Sequence, residues 1–238
     1  MIDLHCHILP EIDDGPSTVE DSVSLLKMLK EQDVDTVVAT PHFYPLETTL
    51  QDFLSKRESS FNKLKNEIKN EDYPKLILGA EVYYFSGIGK SEAIKELKIG
   101  DSDYILIELP FCDLDDYVLN DVLEIKDNLG LMPIIAHIER YSKFKGYKKL
   151  LEFVSKGLFL AQVNTSSLIS RPENRRTKKL IKKGLISFIA SDAHSVRQRR
   201  PYFYEALNEI RESVSLIEYG KILERNKEFA ENFSLEKL

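Results

Sequence analysis

The segment M-I-D-L-H-C-H, residues 1–7, decides the fold of this chain. It is a mainly apolar run of strand length, and its last residues include His5 and His7. Because side chains alternate between the two faces of a strand, both histidines leave the same face and Cys6 points the other way. The segment therefore predicts a strand that ends in a pair of metal-binding imidazoles.

The same pattern recurs along the chain, because all 5 histidines stand at the ends of apolar runs. The others are His42 after T-V-V-A-T-P, His137 after M-P-I-I-A and His194 after S-F-I-A-S-D-A. Two further runs end on the carboxylates Glu81 and Glu108, and Asp192 lies two residues before the last histidine. The pattern predicts a metal site assembled from several strand ends.

Seven apolar runs of strand length alternate with helical patterns. The strand-like runs cover residues 1–5, 35–40, 75–81, 104–109, 132–138, 158–163 and 185–191. Continuous apolar runs are typical of parallel strands covered on both faces. Helices are predicted from a capping box at 17–20 to about 31, and over 50–70, 115–129, 145–156, 173–183 and 203–232, the last broken near 213–220. Gly157 and Gly184 stand where two helices should end.

This alternation favours an α/β fold, a distorted (β/α)7 barrel, over an open sheet. The polar residues nearly all follow their strands, and in such barrels the carboxyl ends of the strands meet at one mouth. We found no internal repeat, low-complexity segment or linker, so a single domain over residues 1–238 is expected.

The composition and charge of the chain argue against several classes of protein. A net charge of −6 argues against nucleic acid as a partner, because binding of the phosphate backbone needs a basic face. No apolar run reaches the roughly 18 residues of a membrane span. The first strand begins at Met1 and leaves no room for a leader, and the cysteines Cys6 and Cys112 give no disulfide framework. We therefore expect a cytoplasmic protein.

Nitrogen and oxygen donors of this kind suit Mn, Fe, Zn or Co, with Mg as a further candidate. Nine candidates are too many for one ion, so two or three ions are predicted, with a carboxylate such as Glu81 bridging two of them. For Asp14 a turn before the first helix is an alternative role, and Glu139 can face either the ions or a surrounding layer. The candidates are His5, His7, Asp14, His42, Glu81, Glu108, His137, Asp192 and His194.

A thiol mechanism is excluded by spacing. Cysteine phosphatases need an arginine six residues after the cysteine, and those positions hold Ile12 and Val118. Both cysteines are therefore interpreted as packed core residues.

The strand-end motifs resemble those of the PHP (polymerase and histidinol phosphatase) superfamily. They are H-C-H at 5–7, His42, Glu81, H-I-E-R at 137–140 and S-D-A-H at 191–194. The resemblance spans residues 1 to about 204. Within the superfamily, the start M-I-D-L-H-C-H-I-L-P-E-I-D-D-G-P, G-A-E-V-Y-Y at 79–84, A-H-I-E-R-Y at 136–141 and R-P-Y near 200 are similar to the bacterial capsular-polysaccharide tyrosine phosphatases.

The resemblance implies a seven-stranded barrel that holds three ions, usually manganese when active. Carried onto this chain, His5, His7, Glu81 and Asp192 would hold the first ion. Glu81, Glu108 and His137 would hold the second, and Asp14, His42 and His194 the third. The implied partner is a phosphotyrosine protein, the tyrosine-rich tail of a membrane-associated bacterial tyrosine kinase that controls capsule or exopolysaccharide assembly.

The predicted mechanism is attack by a metal-bound hydroxide on the phosphate ester, because a bound cation lowers the pKa of water to near neutrality. Arg140 and Arg200 are predicted to bind the phosphate oxygens, for which a planar bidentate donor is suited. Arg197 is the alternative to Arg200 in the same loop. The aromatic residues that follow strand ends either flank an aryl phosphate at the mouth or pack on the rim of the barrel. They are Phe43, Tyr44, Tyr83, Tyr84, Phe85 and Tyr141.

Three alternatives remain at this point. A small-molecule phosphoesterase such as histidinol phosphatase would use the same ligands. A metal-dependent amidohydrolase also begins with a His-x-His strand but usually has eight strands. A non-catalytic module that binds a partner should have lost ligands, which this chain retains. Homo-oligomerisation is left open.

Overall fold

The computed structural model describes residues 1–69, 72–170 and 173–231. Its strand segments are all parallel and their bounds follow in chain order. They are β1 (Ile2–Cys6), β2 (Thr36–Ala39), β3 (His42–Phe43), β4 (Lys75–Leu78), β5 (Glu81–Tyr83), β6 (Tyr104–Glu108), β7 (Met132–Ile135), β8 (Leu160–Asn164) and β9 (Phe188–Ala190).

Two of the predicted strands are interrupted in the middle. β2 is separated from β3 by Thr40 and Pro41, and β4 is separated from β5 by Gly79 and Ala80. Proline has no backbone N–H to continue a ladder, yet the two interrupted strands stay side by side. The Gly79 amide donates to the Ala39 carbonyl at 2.9 Å and the Glu81 amide donates to the Pro41 carbonyl at 3.1 Å. Counted this way, the described residues form seven strands.

The seven strands close into a ring. Hydrogen-bonded neighbours run in the order β1-β2-β4 and β3-β5-β6-β7-β8-β9. The ring closes beyond β9, where the Asp192 amide donates to the His5 carbonyl at 2.8 Å and the His7 amide donates to the Ala193 carbonyl at 2.9 Å. The predicted distorted (β/α)7 barrel is confirmed, and the interrupted strands are a source of its distortion.

Helices connect the strands on the outside, close to their predicted positions. They are α1 (Val19–Lys30), α2 (Leu50–Glu67), α3 (Asp116–Leu129), α4 (Tyr147–Ser155), α5 (Thr165–Ile169), α6 (Glu173–Lys182), α7 (Phe203–Ser213) and α8 (Leu216–Glu231). Gly157 and Gly184, with φ of 69° and 67°, follow the ends of α4 and α6 as expected. The sequence did not predict α5 or the 3₁₀ helices at Ile88–Lys90, Glu92–Leu97 and Ile138–Lys143.

The start of α1 corrects one local prediction. The N-cap is Thr18 rather than Ser17, and its hydroxyl accepts a hydrogen bond from the Asp21 amide at 3.1 Å. The Ser17 hydroxyl donates instead to the Asp21 carboxylate at 3.2 Å. Thr18 and Asp21 are also spaced three apart, so the capping pattern lies one residue further along the chain.

The last helix packs against the strands of the barrel. Phe229 of α8 is 3% exposed. Its ring lies edge-on to those of Tyr104 and Phe188, with centroids 5.0 Å away in both cases. The apolar cluster that contains Phe229 also contains Leu106 and Ile134 from two strands. Among the helices of the described ranges, none is both long and apolar enough to cross a membrane.

Candidate metal centre

The predicted donors meet at the carboxyl ends of the strands. His5 lies near the end of β1, Glu108 ends β6, and His42 and Glu81 begin β3 and β5 just beyond the two interruptions. The remaining donors lie in the loops that follow β1, β7 and β9; they are His7, Asp14, His137, Asp192 and His194.

Glu81 lies at the centre of this cluster and is 1% exposed. Its Oε2 lies 3.3 Å from His5 Nε2, 3.3 Å from His7 Nε2 and 2.9 Å from His42 Nδ1. Despite these three approaches, Oε2 has no hydrogen-bond partner among the described residues. Imidazole nitrogens that converge on an unsatisfied buried carboxylate oxygen are the arrangement expected of ligands that share a cation.

A second set of donors surrounds the other oxygen of Glu81. His137 Nε2 lies 2.9 Å from Glu81 Oε1 and 3.5 Å from Glu108 Oε1. The side chains of His137 and Glu108 are both almost fully buried. Each Glu81 oxygen therefore faces a different group of donors, which fits the predicted bridging role.

A third set lies toward solvent. Asp14 Oδ1 lies 3.0 Å from His194 Nε2 and 3.5 Å from His42 Nε2. His7 belongs to this set as well, because its ring stacks on that of His194 with centroids 3.8 Å apart. Asp14, for which a turn was the alternative, thus faces the cluster.

The donor atoms form three groups, each with all atoms within 4.8 Å of one another. They are His5 with His7 and Glu81; His42 with Glu81 and Glu108; and His7 with Asp14, His42 and His194. Buried imidazoles and carboxylates at this spacing fit metal ions, because ligand atoms that bind one cation at roughly 2.0–2.2 Å lie within roughly 4.4 Å of one another, close to the spacing found here. The grouping differs from the implied one in two ways: His7 and His42 each belong to two groups, and His137 and Asp192 belong to none of the three.

The backbone after two strands departs from the predicted extended form. β9 ends at Ala190 and Asp192 has a φ of 52°; β7 ends at Ile135 and His137 has a φ of 31°. Asp192 Oδ1 still lies 3.6 Å from the Nε2 atoms of both His5 and His7. The prediction of an extended Asp192-x-His194 pair was therefore wrong in conformation, while both side chains reach the cluster.

Electrostatics of the cluster reflect the close packing of unlike charges. Burial disfavours a charged His7, but the Asp13 carboxylate 2.7 Å from Nδ1 raises the pKa of His7 to about 10. Burial also opposes ionisation of Glu81, yet neighbouring histidines hold the pKa of that carboxyl well below its usual range. Burial and the nearby His7 lower the pKa of His194 to about 3, which keeps its ring neutral.

Asp13, Gln162 and Asn164 support the donors and were not identified from the sequence. Gln162 Oε1 lies 3.2 Å from His5 Nδ1 and accepts a hydrogen bond from the His137 amide at 2.7 Å. Asn164 donates to Asp192 Oδ2 at 2.7 Å. Their positions two apart near the end of β8 are the same signal that identified His5 and His7. Glu139 belongs to this surrounding layer, since its Oε1 accepts from the Asn164 amide at 3.2 Å.

The arginine prediction is correct in position for Arg140 and wrong for Arg200. Arg140 donates to Asp192 Oδ2 at 2.7 Å. The Arg200 guanidinium lies 4.8 Å from the centroid of the Tyr202 ring and 3.7 Å from Glu205.

Arg199 takes the place expected of Arg200. It donates to Asp192 Oδ1 at 2.9 Å and to Asp14 Oδ2 at 3.2 Å. The backbone between His194 and Arg199 folds back, with the His194 amide donating to the Arg199 carbonyl at 2.8 Å. The adjacent residues Arg199 and Arg200 therefore have different contacts, a difference that the position before Pro201 does not indicate.

Of the predicted aromatic residues, Tyr44 and Tyr83 lie at the mouth. Tyr44 stacks on His42 at 5.0 Å and contacts Tyr83 at 5.4 Å between ring centroids. The others pack inside the protein or against its helices; they are Phe43, Tyr84, Phe85 and Tyr141. Cys112 is exposed, which corrects its assignment to the core, whereas Cys6 is buried.

Phe111 is an aromatic residue at the mouth that the sequence did not single out. It is 46% exposed. Its ring stacks on His137 at 5.7 Å and on Tyr141 at 5.5 Å. It follows β6 by three residues, so its position carries the same strand-end signal as Tyr44 and Tyr83.

Two grooves flank the cluster. The Asp14 groove, of about 360 Å³, is lined by Asp13, Asp14, His42, Tyr44, Glu47 and Lys56 among others. The Arg140 groove, of about 440 Å³, is lined by Phe111, Glu139, Arg140, Ser142, Lys143, Glu173 and Arg176 among others. A larger cavity of about 680 Å³ lies beside Met1 and Thr36, at the amino ends of β1 and β2, and contains none of the donors.

The sequence matches a family model described as capsular polysaccharide synthesis, CpsB/CapC, over residues 1–229. The tyrosine-protein phosphatase YwqE of Bacillus subtilis is 34% identical, with 87% of this chain and 82% of that protein covered. The tyrosine-protein phosphatase CpsB of Streptococcus pneumoniae is 31% identical, with 87% and 88% covered.

Solved structures of known proteins are also similar to this chain. A crystal structure reported for YwqE and CpsB, described as unique metal-dependent tyrosine phosphatases, superposes with a TM-score of 0.84 at 27% identity and covers 98% of this chain and 95% of that one. Histidinol phosphate phosphatase of Lactococcus lactis, with a TM-score of 0.55 at 13% identity over 96% and 94% of the two chains, shares the fold alone.

Proposed function

The chain belongs to the CpsB/CapC family of capsular polysaccharide synthesis, and on that basis we propose that it hydrolyses phosphotyrosine on a bacterial tyrosine kinase. It is an enzyme, a metal-dependent protein tyrosine phosphatase. More specifically, we propose that the substrate is the tyrosine-rich tail of that kinase. The enzyme would thereby regulate capsular or exopolysaccharide assembly, and it would act in the cytoplasm.

One observation carries the proposal. Glu81 Oε2 is buried among His5, His7 and His42 and has no hydrogen-bond partner in the described part of the chain. A buried carboxylate left in this state is costly unless a cation binds there. Around it, the carboxylates Asp14, Glu108 and Asp192 exceed the nearby arginines in number, so bound cations would balance the charge.

We propose manganese, as two or three ions, held by the nine predicted donors. Held by these residues, such ions would lower the pKa of a coordinated water to near neutrality and would stabilise charge on the phosphate oxygens, which is the chemistry that in-line displacement by hydroxide requires. The ligand set is of the nitrogen and oxygen type that also accepts Fe, Zn or Co.

The residues of the chain then orient the phosphate. Arg140 and Arg199 each place one guanidinium nitrogen on Asp192, within 2.9 Å, and Arg199 places a second one on Asp14 Oδ2 at 3.2 Å. Planar guanidinium donors bind phosphate oxygens in pairs, so the two arginines would hold the oxygens that are not transferred. Phe111, Tyr44 and Tyr83 present aromatic faces beside the cluster that an aryl ester can contact.

A comparison of substrates tests this proposal. Phosphate release from a phosphotyrosine peptide with Mn²⁺ should exceed release from a phosphoserine peptide and from histidinol phosphate in kcat/KM. Glu81→Gln should reduce it by several orders of magnitude, while Glu58→Gln, on the exposed side of α2, should leave it unchanged. Greater efficiency with histidinol phosphate would favour the small-molecule alternative and contradict the proposal.

A further inference from the structure

The two grooves beside the metal cluster differ in charge. The Asp14 groove carries the carboxylates of Asp13, Asp14 and Glu47 against the single cation of Lys56. In the Arg140 groove the balance is reversed, since its walls carry three cations. A peptide that crosses the mouth would therefore meet opposite fields on the two sides of its phosphotyrosine.

The cations of the Arg140 groove come from two separate elements. Arg140 and Lys143 lie on the 3₁₀ helix Ile138–Lys143, and Arg176 lies on α6. Arg176 reaches across and donates to the Ser142 hydroxyl at 3.1 Å, so that its guanidinium is held over the groove. Lys143 and Arg176 are exposed, whereas Arg140 is also in contact with Asp192 in the metal cluster.

Two carboxylates also line this groove, and their positions matter. Glu173 is exposed at the rim, and Glu139 is buried. Glu139 Oε1 accepts from the Asn164 amide, while Oε2 has no hydrogen-bond partner within the described residues. Of the two carboxylates, only that of Glu173 is therefore exposed to a ligand in the groove.

Resting on the proposed function, we propose that the Arg140 groove is a second subsite, which takes an anionic side chain next to the phosphotyrosine of the substrate. A volume of about 440 Å³ accommodates one such side chain with its backbone. The anion can be the carboxylate of Glu or Asp or the phosphate of a second phosphotyrosine, because guanidinium and ammonium groups bind both. Lys143 and Arg176 recognise it, and Arg140 joins this subsite to the catalytic one.

The test uses pairs of phosphotyrosine peptides on the metal-loaded, full-length enzyme. One pair carries Glu or Gln on either flank of the phosphotyrosine, and a second pair carries phosphotyrosine or tyrosine there. We expect kcat/KM to be about tenfold higher for the anionic member of at least one pair, through KM rather than kcat. The pair that shows the higher kcat/KM identifies whether the anion is a carboxylate or the phosphate of a second phosphotyrosine.

The preference should disappear in the variant K143Q/R176Q. The control K148Q/R175Q removes the same charge from α4 and α6 at exposed positions outside the groove and should keep the preference. Hydrolysis of p-nitrophenyl phosphate should be equal in all three proteins, so a failure of phosphatase activity itself is seen separately. Equal kcat/KM for both members of both pairs in the unmodified enzyme, or a preference that persists in K143Q/R176Q, would overturn the subsite.

Discussion

Glu81 shows most clearly how the site is built at the scale of single residues. It begins β5, directly after the interruption at Gly79 and Ala80, and each of its oxygens faces different imidazoles. The interruption and the donor therefore occur at the same place.

Arg199 and Arg200 form a matched pair of adjacent residues with different surroundings. Arg199→Gln should lower kcat/KM for a phosphotyrosine peptide by about 10²-fold or more, because it removes a charged donor aimed at the phosphate site. Arg200→Gln should remain within about twofold, since that side chain contacts Tyr202 and Glu205 instead. Steady-state kinetics with metal content measured in parallel checks this, and a larger loss for Arg200→Gln would contradict the assignment.

Gln162 should control metal affinity without being a ligand. Its Oε1 fixes the Nδ1 side of His5 and leaves Nε2 to face Glu81. Gln162→Leu should weaken Mn²⁺ binding by about 10–100-fold, as is usual when an outer hydrogen bond to a ligand is lost. Gln162→Glu, which keeps an acceptor oxygen, should lose less. An unchanged Kd in a folded Gln162→Leu protein, measured by calorimetry, would show that His5 needs no such partner.

Metal binding should release protons. With pKa values raised to about 10 for His7 and about 9 for His137, both rings are protonated at pH 7.5 in the metal-free protein, and a metal ligand must give up its proton. Affinity should therefore rise with pH up to about 10, the higher of the two pKa values. Calorimetric titration in two buffers of different ionisation enthalpy should detect the release of about two protons; identical heats in both buffers would argue against histidine ligation.

At the scale of elements, the sequence predicted what lies on or directly beside regular strands. Apolar runs ending in histidine or carboxylate located eight of the nine donors, because parallel strands bring their carboxyl ends together. It failed where the chain leaves the strand. Arg199 and Arg200 could not be separated, since the direction of a loop side chain depends on how the loop folds back, and Gln162 and Asn164 carried no distinctive chemistry.

The final helix offers a test of packing. Phe229→Ala should reduce the free energy of unfolding of the metal-free protein by about 3 kcal/mol or more, as expected when a buried phenylalanine is truncated. Ile217→Ala on the same helix, where the side chain is 71% exposed, should change it by less than about 0.5 kcal/mol. Urea unfolding followed by circular dichroism gives both values; equal effects would mean that α8 does not stabilise the barrel.

For the molecule as a whole, a ring of seven strands serves to bring together donors that are distant in sequence. His5 and Asp192 are separated by nearly the whole described chain, yet they lie 3.6 Å apart because β9 returns to β1. Closure of the barrel thus brings the donors from the two ends of the chain together. Bound metal should in turn stabilise the closed ring, because it binds the folded form alone.

Titration of metal-free protein with Mn²⁺ tests the central claim most directly. Bound manganese per protein is measured by atomic spectroscopy on the same samples that are assayed for phosphate release from a phosphotyrosine peptide. The account predicts no turnover after chelation, and activity that returns as two or three ions bind. Full turnover by protein shown to contain no metal would contradict it.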